Sequence, residues 1–542
     1  MLQMRVTNFL SVFVVLFFRT ILTVCAGGVF TDGHFQYMVE DYVYDGDSAV
    51  YIVGMEDSLR TATILVLPGS IVHNGYEYRV TGVGENAFAR NGCVEQVVIG
   101  EGIEAIYDYA FFDSPLLQSI VISSTVDYIS SSAFGFCPNL RSISVDRRNE
   151  IFSSPEGCNV IVDEKNKELV LGCRTSVIPK GIECIGESAF YGCLGMEELS
   201  VPEGVVEIGS GAFSGCAGLK SVVLPHTLER IGNFAFWGCA QMKSLHIPSK
   251  VSSIQAPLFG KCWMLDTIEV DTLNPVYDSR YGCNAIVETA SDKIISGCGN
   301  SRIVEGVKEI GEAAFVHSSL RTVEIPKTVT LIGERAFACC IFCISMEVDV
   351  QNPVYDSRQG CNAVIETATG KVVVGCAKTN FVNGVGEIGA YAFTGMYMPP
   401  YFIIPEGIRK IGNSAFSFCE GLDWVLVPNS VEEIGTSAFH SSSLRQVYWN
   451  ASMDEIPESS FSDCKNLYAI AFSKEIKSVG AYAFRHCSDL FCMSFSEGVE
   501  YIGYKAFEGS PCEENIKKKY SSALSSDYGQ PQRSIRERLY EN

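Results

Sequence analysis

The stretch Phe213-Ser-Gly-Cys216-Ala-Gly-Leu219-Lys-Ser-Val222-Val-Leu224-Pro225 decides how this chain folds. It runs on through Leu228, Ile231 and Gly232 to Phe236, where the same frame begins again. That frame recurs at Phe88, Phe111, Phe134, Phe190, Phe259, Phe315, Phe337, Phe393, Phe416, Phe439, Phe461, Phe484 and Phe507. Of the 14 intervals, nine are 23 residues, two are 22 and three are 56. Each long interval is one period plus an insertion of 33 residues. A fixed period of this size is the signature of a solenoid, in which each repeat is one coil that buries its apolar face only against its neighbours. Leu219, Val222 and Leu224 point inward, and Val222 and Leu224 alternate as in a half-buried strand. One short strand per coil, stacked in register, builds a parallel sheet with strands about 4.8 Å apart. The expected fold is a β-rich solenoid of 23-residue coils interrupted by three 33-residue insertions.

Two side-chain files follow from the period. The phenylalanines are expected to form a buried ladder. Glycine stands four residues before most of them, as in Gly84, Gly186, Gly209, Gly232, Gly311, Gly333, Gly389, Gly412, Gly435, Gly480 and Gly503. Such a glycine points to a left-handed or a closely approached backbone. Tyr107, Ser130, Gln255 and Pro457 break that file, so their four turns are expected to differ.

The composite pattern Ile-Gly-x-x-Ala-Phe-x-x-Cys-x-x-Leu-x-x-Val-x-Ile-Pro resembles the BspA-like leucine-rich repeat over residues 80–510. The insertions add to the likeness. Asn274-Pro-Val-Tyr-Asp-Ser-Arg280 precedes Cys283-Asn-Ala-Ile, and Asn352-Pro-Val-Tyr-Asp-Ser-Arg358 precedes Cys361-Asn-Ala-Val. The first insertion departs, reading Asn149-Glu-Ile-Phe-Ser-Ser-Pro before Cys158. The resemblance implies a right-handed, curved leucine-rich-repeat superhelix. It also implies a secreted or surface-displayed protein that binds host matrix proteins or other cells, and no catalysis.

Residues 1–26 read as an export signal. Arg5 precedes an apolar run, and Val24-Cys25-Ala26 fits a small-residue cleavage site. Acylation of Cys25, which would make a lipoprotein although Val24 is a poor residue before it, and an uncleaved anchor are the alternatives. No later segment is apolar for long enough to span a membrane. Residues 27–80 lack the repeat but are strand-rich and are expected to cap the core as an N-terminal β cap. Residues 81–510 carry the repeats, and residues 511–542 read as a C-terminal tail, with a short capping helix the other reading. The formal net charge of −22 argues against nucleic acid and anionic lipid as partners.

Twenty-two cysteines in an exported chain suggest disulfides. Their spacing argues otherwise for nine. Cys137, Cys193, Cys216, Cys239, Cys262, Cys340, Cys419, Cys464 and Cys487 each stand three residues after a repeat Phe, so a ladder of buried thiols is expected. The insertion pairs, Cys158 and Cys173, Cys283 and Cys298, Cys361 and Cys376, flank a strand-turn-strand. For these, a cross-strand disulfide and buried thiols both remain open.

No metalloprotease, phosphate-loop or nucleophile-elbow motif is present. Cys340-Ile-Phe-Cys343 is formally a C-x-x-C, but the repeat frame accounts for both cysteines. Asp45-Gly-Asp47 reads as a turn, lacking the ligand series of a calcium loop. No catalytic, cofactor or metal residue is therefore assigned. The expected partner is a protein ligand. Between the inward residues, the N-terminal coils present small or charged side chains, among them Gln118, Ser119, Glu197, Glu198, Lys220 and Ser221. In the last coils these positions become aromatic, at Trp424, Tyr448, Tyr468 and Phe491. Grouped exposed aromatics mark partner-binding sites, though packing across neighbouring strands is the competing account. The insertions are further candidates. A scaffold within an envelope complex and a glycan-binding protein are the alternative functions.

Overall fold

The computed structural model describes residues 29–39, 49–491, 493–495, 498–525 and 528. The signal segment with Cys25, and Asp45-Gly-Asp47, lie outside the described residues.

Each coil contributes to three stacked backbone ladders. The first is the expected strand, four residues long in most coils. Ile64–Leu67, Gln96–Ile99, Ser119–Ile122 and Ser142–Val145 pair in parallel, in that order. The second is a two-residue strand ending in the Ile of the Ile-Gly step. Cys184–Ile185, Glu207–Ile208, Arg230–Ile231 and Ser253–Ile254 are four successive rungs. The third runs through the phenylalanines. The Phe213 N–H donates to the Ala235 carbonyl of the next coil at 2.9 Å, and Phe393 and Phe416 repeat the bond to Ala415 and Ala438.

The phenylalanine ladder is present. The rings of Phe393, Phe416, Phe439, Phe461, Phe484 and Phe507 stack with centroids 5.1–5.5 Å apart, and each side chain is buried. The spacing is close to that of neighbouring strands, because each ring rides on one coil. Two residues after every repeat Phe the backbone is left-handed, with φ from 53° at His317 and Ser441 to 73° at Gly215 and Gly238. Most of these residues are not glycine, although the conformation costs an ordinary residue about 1 kcal/mol.

The glycines four residues before Phe do not have positive φ. Close approach is their reason. A Cβ on Gly232 would stand 2.4 Å from the Ser210 backbone nitrogen of the preceding coil. The four exceptions divide. Tyr107 and Pro457 keep the ordinary frame, with left-handed Tyr109 and Asp113, and Ser459 and Asp463, around their phenylalanines. The turns at Ser130 and Gln255 differ, since Ser132 and Pro257 are not left-handed.

The insertions are antiparallel three-stranded meanders built into the coil. In the second, Tyr277–Asp278, Ala285–Glu288 and Lys293–Gly297 pair in order, and the last strand runs parallel to Glu309–Ile310. Their first asparagine fastens them. The Asn274 Nδ2 donates to the Pro248 and Val251 carbonyls, and its Oδ1 accepts from the Val276 and Tyr277 N–H groups, all at 2.9 Å. Asn352 and Asn149 make the equivalent four bonds. The Tyr277 and Tyr355 hydroxyls also accept the backbone N–H of Ile254 and Ile332. Phe152, at that place in the first insertion, lacks the oxygen.

Both faces of these meanders are buried. Ile286 and Cys298 pack into the core of residues 160–298, while Cys283, Ala285, Val287 and Ile294 pack into the next core. The phenylalanine stack ends at each insertion, where a glycine takes the place of the ring. A Cβ on Gly297 would lie 2.1 Å from the Phe315 ring.

At the N-terminus, Val29–Thr31, Phe35–Val39 and Ala49–Met55 form an antiparallel sheet whose last strand runs parallel to Tyr76–Val83. Ile64–Leu67 already belongs to the long-strand ladder. At the other end, part of the expected tail is ordered. Helix Glu513–Lys519 places Ile516 in the core, with Cys512, Tyr520 and Ala523 beside it. The Tyr520 hydroxyl bonds the Phe495 backbone. These apolar residues cover the final coil, which explains why a lysine-rich stretch is held down.

Candidate interaction surface

The last uninterrupted sheet consists of Tyr401–Ile403, Trp424–Val427, Gln446–Trp449 and Ala469–Phe472, all parallel. Strand alternation sends Phe402, Val425, Val427, Val447 and Trp449 inward, where all are buried. The intervening residues face out. Tyr401, Trp424 and Gln446 form one register row, and Ile403, Leu426 and Tyr448 the next but one. Trp424 and Tyr448 are therefore diagonal neighbours, with ring centroids 5.8 Å apart, and Tyr401 lies 5.3 Å on the other side of Trp424. Tyr401 and Ile403 are 64% and 61% exposed, whereas Tyr448 is only 37% exposed because Trp424 covers part of it.

The four aromatics singled out by sequence are thus not one cluster. Trp424 and Tyr448 share the sheet face. The Tyr468 N–H donates to the Arg445 carbonyl at 3.0 Å, which places Tyr468 just before its strand, level with Arg445 and Asp423. Phe491, 69% exposed, lies past the last strand, and its N–H turns to the Asp489 carbonyl. Tyr401 and Ile403 were not read from sequence. Pro399-Pro400 and the third insertion obscure the coil frame just before them, and the outward alternation counted back from Trp424 is the signal that finds them. A second outward apolar group was also missed, Ile64 and Val66 on the first strand of the N-terminal ladder.

The repeat cysteines line the core as free thiols. The Cys216 thiol donates to the Phe190 carbonyl at 3.1 Å, and Cys239, Cys419 and Cys487 do the same to Phe213, Phe393 and Phe461. In four coils serine stands in that place, at Ser114, Ser318, Ser442 and Ser510, and the Ser510 hydroxyl donates to the Phe484 carbonyl. Burial pushes the Cys216 and Cys262 thiols up to about 12, so they stay protonated and unreactive. Cys340 bonds the Phe315 carbonyl and Cys343 lies in the core, as the repeat frame requires.

No insertion cysteine is bridged to its partner across the turn, and the geometry excludes that cross-strand pairing. Near the turn, Val287 faces Ile294, a register that would set Cys283 opposite Cys298. A β-bulge between Ile286 and Val287 shifts the pairing, so Ala285 faces Gly297. Successive residues point to opposite faces, so one shifted residue puts the two sulfurs on opposite sides of the sheet. The same bulge occurs in the first and third insertions.

One polar cluster lies beside the phenylalanine turns. Burial pushes the Asp463 carboxyl up, but hydrogen bonds from His486 and Ser462 outweigh it and hold the group below the usual carboxylate range. Among the described residues, no group of three or more His, Cys, Asp or Glu is placed to hold a metal ion. No helix among them is long and apolar enough to cross a membrane.

Parallel ladders on a 23-residue coil, with a buried ring in every turn and a buried thiol in most, define a leucine-rich-repeat solenoid. The model of the BspA type leucine rich repeat region matches in six copies over residues 74–155, 172–283, 292–358 and 386–513. The chain belongs to that family. No curated protein matches it. Among solved structures, a leucine rich cell surface protein from Faecalibacterium prausnitzii is similar, with 19% identity, a TM-score of 0.37, and 94% of this chain and 100% of that one covered. The pneumococcal vaccine antigen PcpA is 16% identical over 93% of this chain and 98% of its own, with a TM-score of 0.31. A leucine-rich repeat protein from Bacteroides ovatus is 18% identical over 92% and 98%, with a TM-score of 0.27.

Proposed function

We propose that this protein is an exported, surface-displayed binding module that engages a protein partner along its strand face, an adhesin whose ligand is a host matrix protein or a protein of another cell surface. The observation that carries the reading is the outward cluster of Tyr401, Trp424 and its diagonal neighbour Tyr448, with Ile403 and Leu426 beside it. Large aromatic side chains on a rigid support lose little conformational freedom on binding and dominate contact energy in protein interfaces. Three stacked ladders hold the backbone beneath them, so the surface is ordered before any partner arrives. Membership of the BspA-type family and the name of the Faecalibacterium structure support display at the cell surface. Burial of both faces of the insertions favours the strand face over the insertions as the contact region.

The test is binding of the chain from residue 27 onward to immobilised matrix proteins and, in parallel, to glycans. Saturable binding to a matrix protein is expected. Binding to glycans alone would replace the reading with the glycan-binding one. Self-association with no ligand bound would replace it with the scaffold.

A further inference from the structure

The third insertion meets the preceding coil differently from the first two. Six residues after the repeat Phe, the coils before the first and second insertions carry Leu140 and Leu265, each buried in the same core as the insertion's second cysteine, Cys173 or Cys298. The third carries Cys343 instead, and its insertion cysteine is Cys376. The frames are equivalent. The Asn362 Nδ2 donates to the Ile344 carbonyl at 2.9 Å, and its Oδ1 accepts the Met346 N–H at 2.8 Å. Asn284 makes the same two bonds to Asp266 and Ile268. The bulge that turns Cys376 away from Cys361 turns it toward the preceding coil, where its sulfur lies 3.5 Å from the carbonyl of Asn362, the residue tied to Ile344 and Met346, and against the Cys343 side chain. Both side chains are buried in one core.

We infer that Cys343 and Cys376 form a disulfide that joins the third insertion to the coil before it. Neither sulfur is open to solvent in the folded chain, so the bond closes during folding, by exchange with a small-molecule disulfide. The thiolate of one of the two cysteines attacks one sulfur of that oxidant and releases one thiolate. The deprotonated second cysteine then attacks the protein sulfur of the mixed disulfide and expels the second thiolate. Two protein thiols are oxidised, one disulfide is reduced to two thiols, and the two protons pass to the released thiolates.

The full chain is refolded in mixed oxidised and reduced glutathione, alkylated with iodoacetamide in denaturant and digested with trypsin without reduction. Peptides 336–358 and 372–378 should appear linked, at the sum of their masses less two hydrogens plus two carbamidomethyl groups on Cys339 and Cys340, with fragmentation placing the link at Cys343. Cys343→Leu restores the residue found at positions 140 and 265. It should fold, lose the linked species and yield peptide 372–378 alkylated at Cys376. Cys340→Ser should leave the link intact. Alkylation of both Cys343 and Cys376 in the native chain, or linkage of Cys376 to any other cysteine, would overturn the inference.

Discussion

At the residue scale, the fold rests on a few side chains repeated many times. Phe416 lies between the rings of Phe393 and Phe439, 5.1 and 5.4 Å away, with nothing able to fill its place. Phe416→Ala should cost about 3–5 kcal/mol in chemical denaturation, while Phe491→Ala at the exposed end should change stability by under about 0.5 kcal/mol. The cysteine three residues after nine of the phenylalanines serves as a small apolar donor. Cys419→Ser should be nearly neutral, because its hydroxyl can reach the Phe393 carbonyl as Ser510 reaches Phe484. Cys419→Ala loses that bond and leaves a void, and should cost about 1–3 kcal/mol. A ratio near one between the two variants would refute the donor role. His317 supplies a pH dependence. Burial pushes its imidazole down to about 3, helped by Lys261, and the ring sits edge-on to Trp237. The unfolded chain takes up this proton near pH 6.5, the folded chain only near 3. Stability from this group is therefore complete above about pH 6.5 and is lost as pH falls toward 3. Thermal melts of His317→Gln and the native chain should converge as pH drops across that window.

The element scale shows what the sequence makes legible and what it hides. Period and apolar spacing specify the coil, the long strand, the buried phenylalanine file and the thiol file, because each is a same-position rule applied many times. Single-residue shifts are not visible in a period. The β-bulge in each insertion is one such shift, and without it the spacing of Cys283 and Cys298 looks like a cross-strand pair. The glycine file shows a similar ambiguity. Glycine answers both to left-handed backbone and to close approach, and only the 2.4 Å separation at Gly232 separates them. The left-handed positions fall instead on residues such as Phe418, Ser441 and His486, whose identities give no warning. Two prolines and an insertion likewise hide Tyr401 from a reading that found Trp424. Gly297 makes the insertion testable. Gly297→Ala should destabilise by about 1–3 kcal/mol, since its Cβ would fall 2.1 Å from the Phe315 ring. Gly386→Ala, with open space at its Cβ, is the matched control. Equal losses at the two sites would contradict the stacking argument.

At the scale of the whole molecule, the insertions divide the interior into three cores without ending the solenoid. Residues 35–173, 160–298 and 283–523 each supply one, and the meanders hold the seams because their two faces belong to different cores in the first two cases. The long-strand sheet is interrupted at each insertion, and the C-terminal run of four strands is where outward aromatics collect. The net charge of −22 accompanies this apolar row, so a partner is held there by contact with the rings more than by charge. Binding through the row should therefore weaken little between low and physiological salt.

The most direct measurement compares the native chain with the variant Tyr401→Ser, Trp424→Ser, Tyr448→Ser for saturation binding to the matrix protein that the native chain captures, with melting curves recorded for both. The account predicts that melting changes little, because these rings face out, while affinity falls by at least about a hundredfold, the loss of roughly two strong interface anchors. Unchanged affinity in a folded variant would contradict the claim that the C-terminal strand face is the working surface.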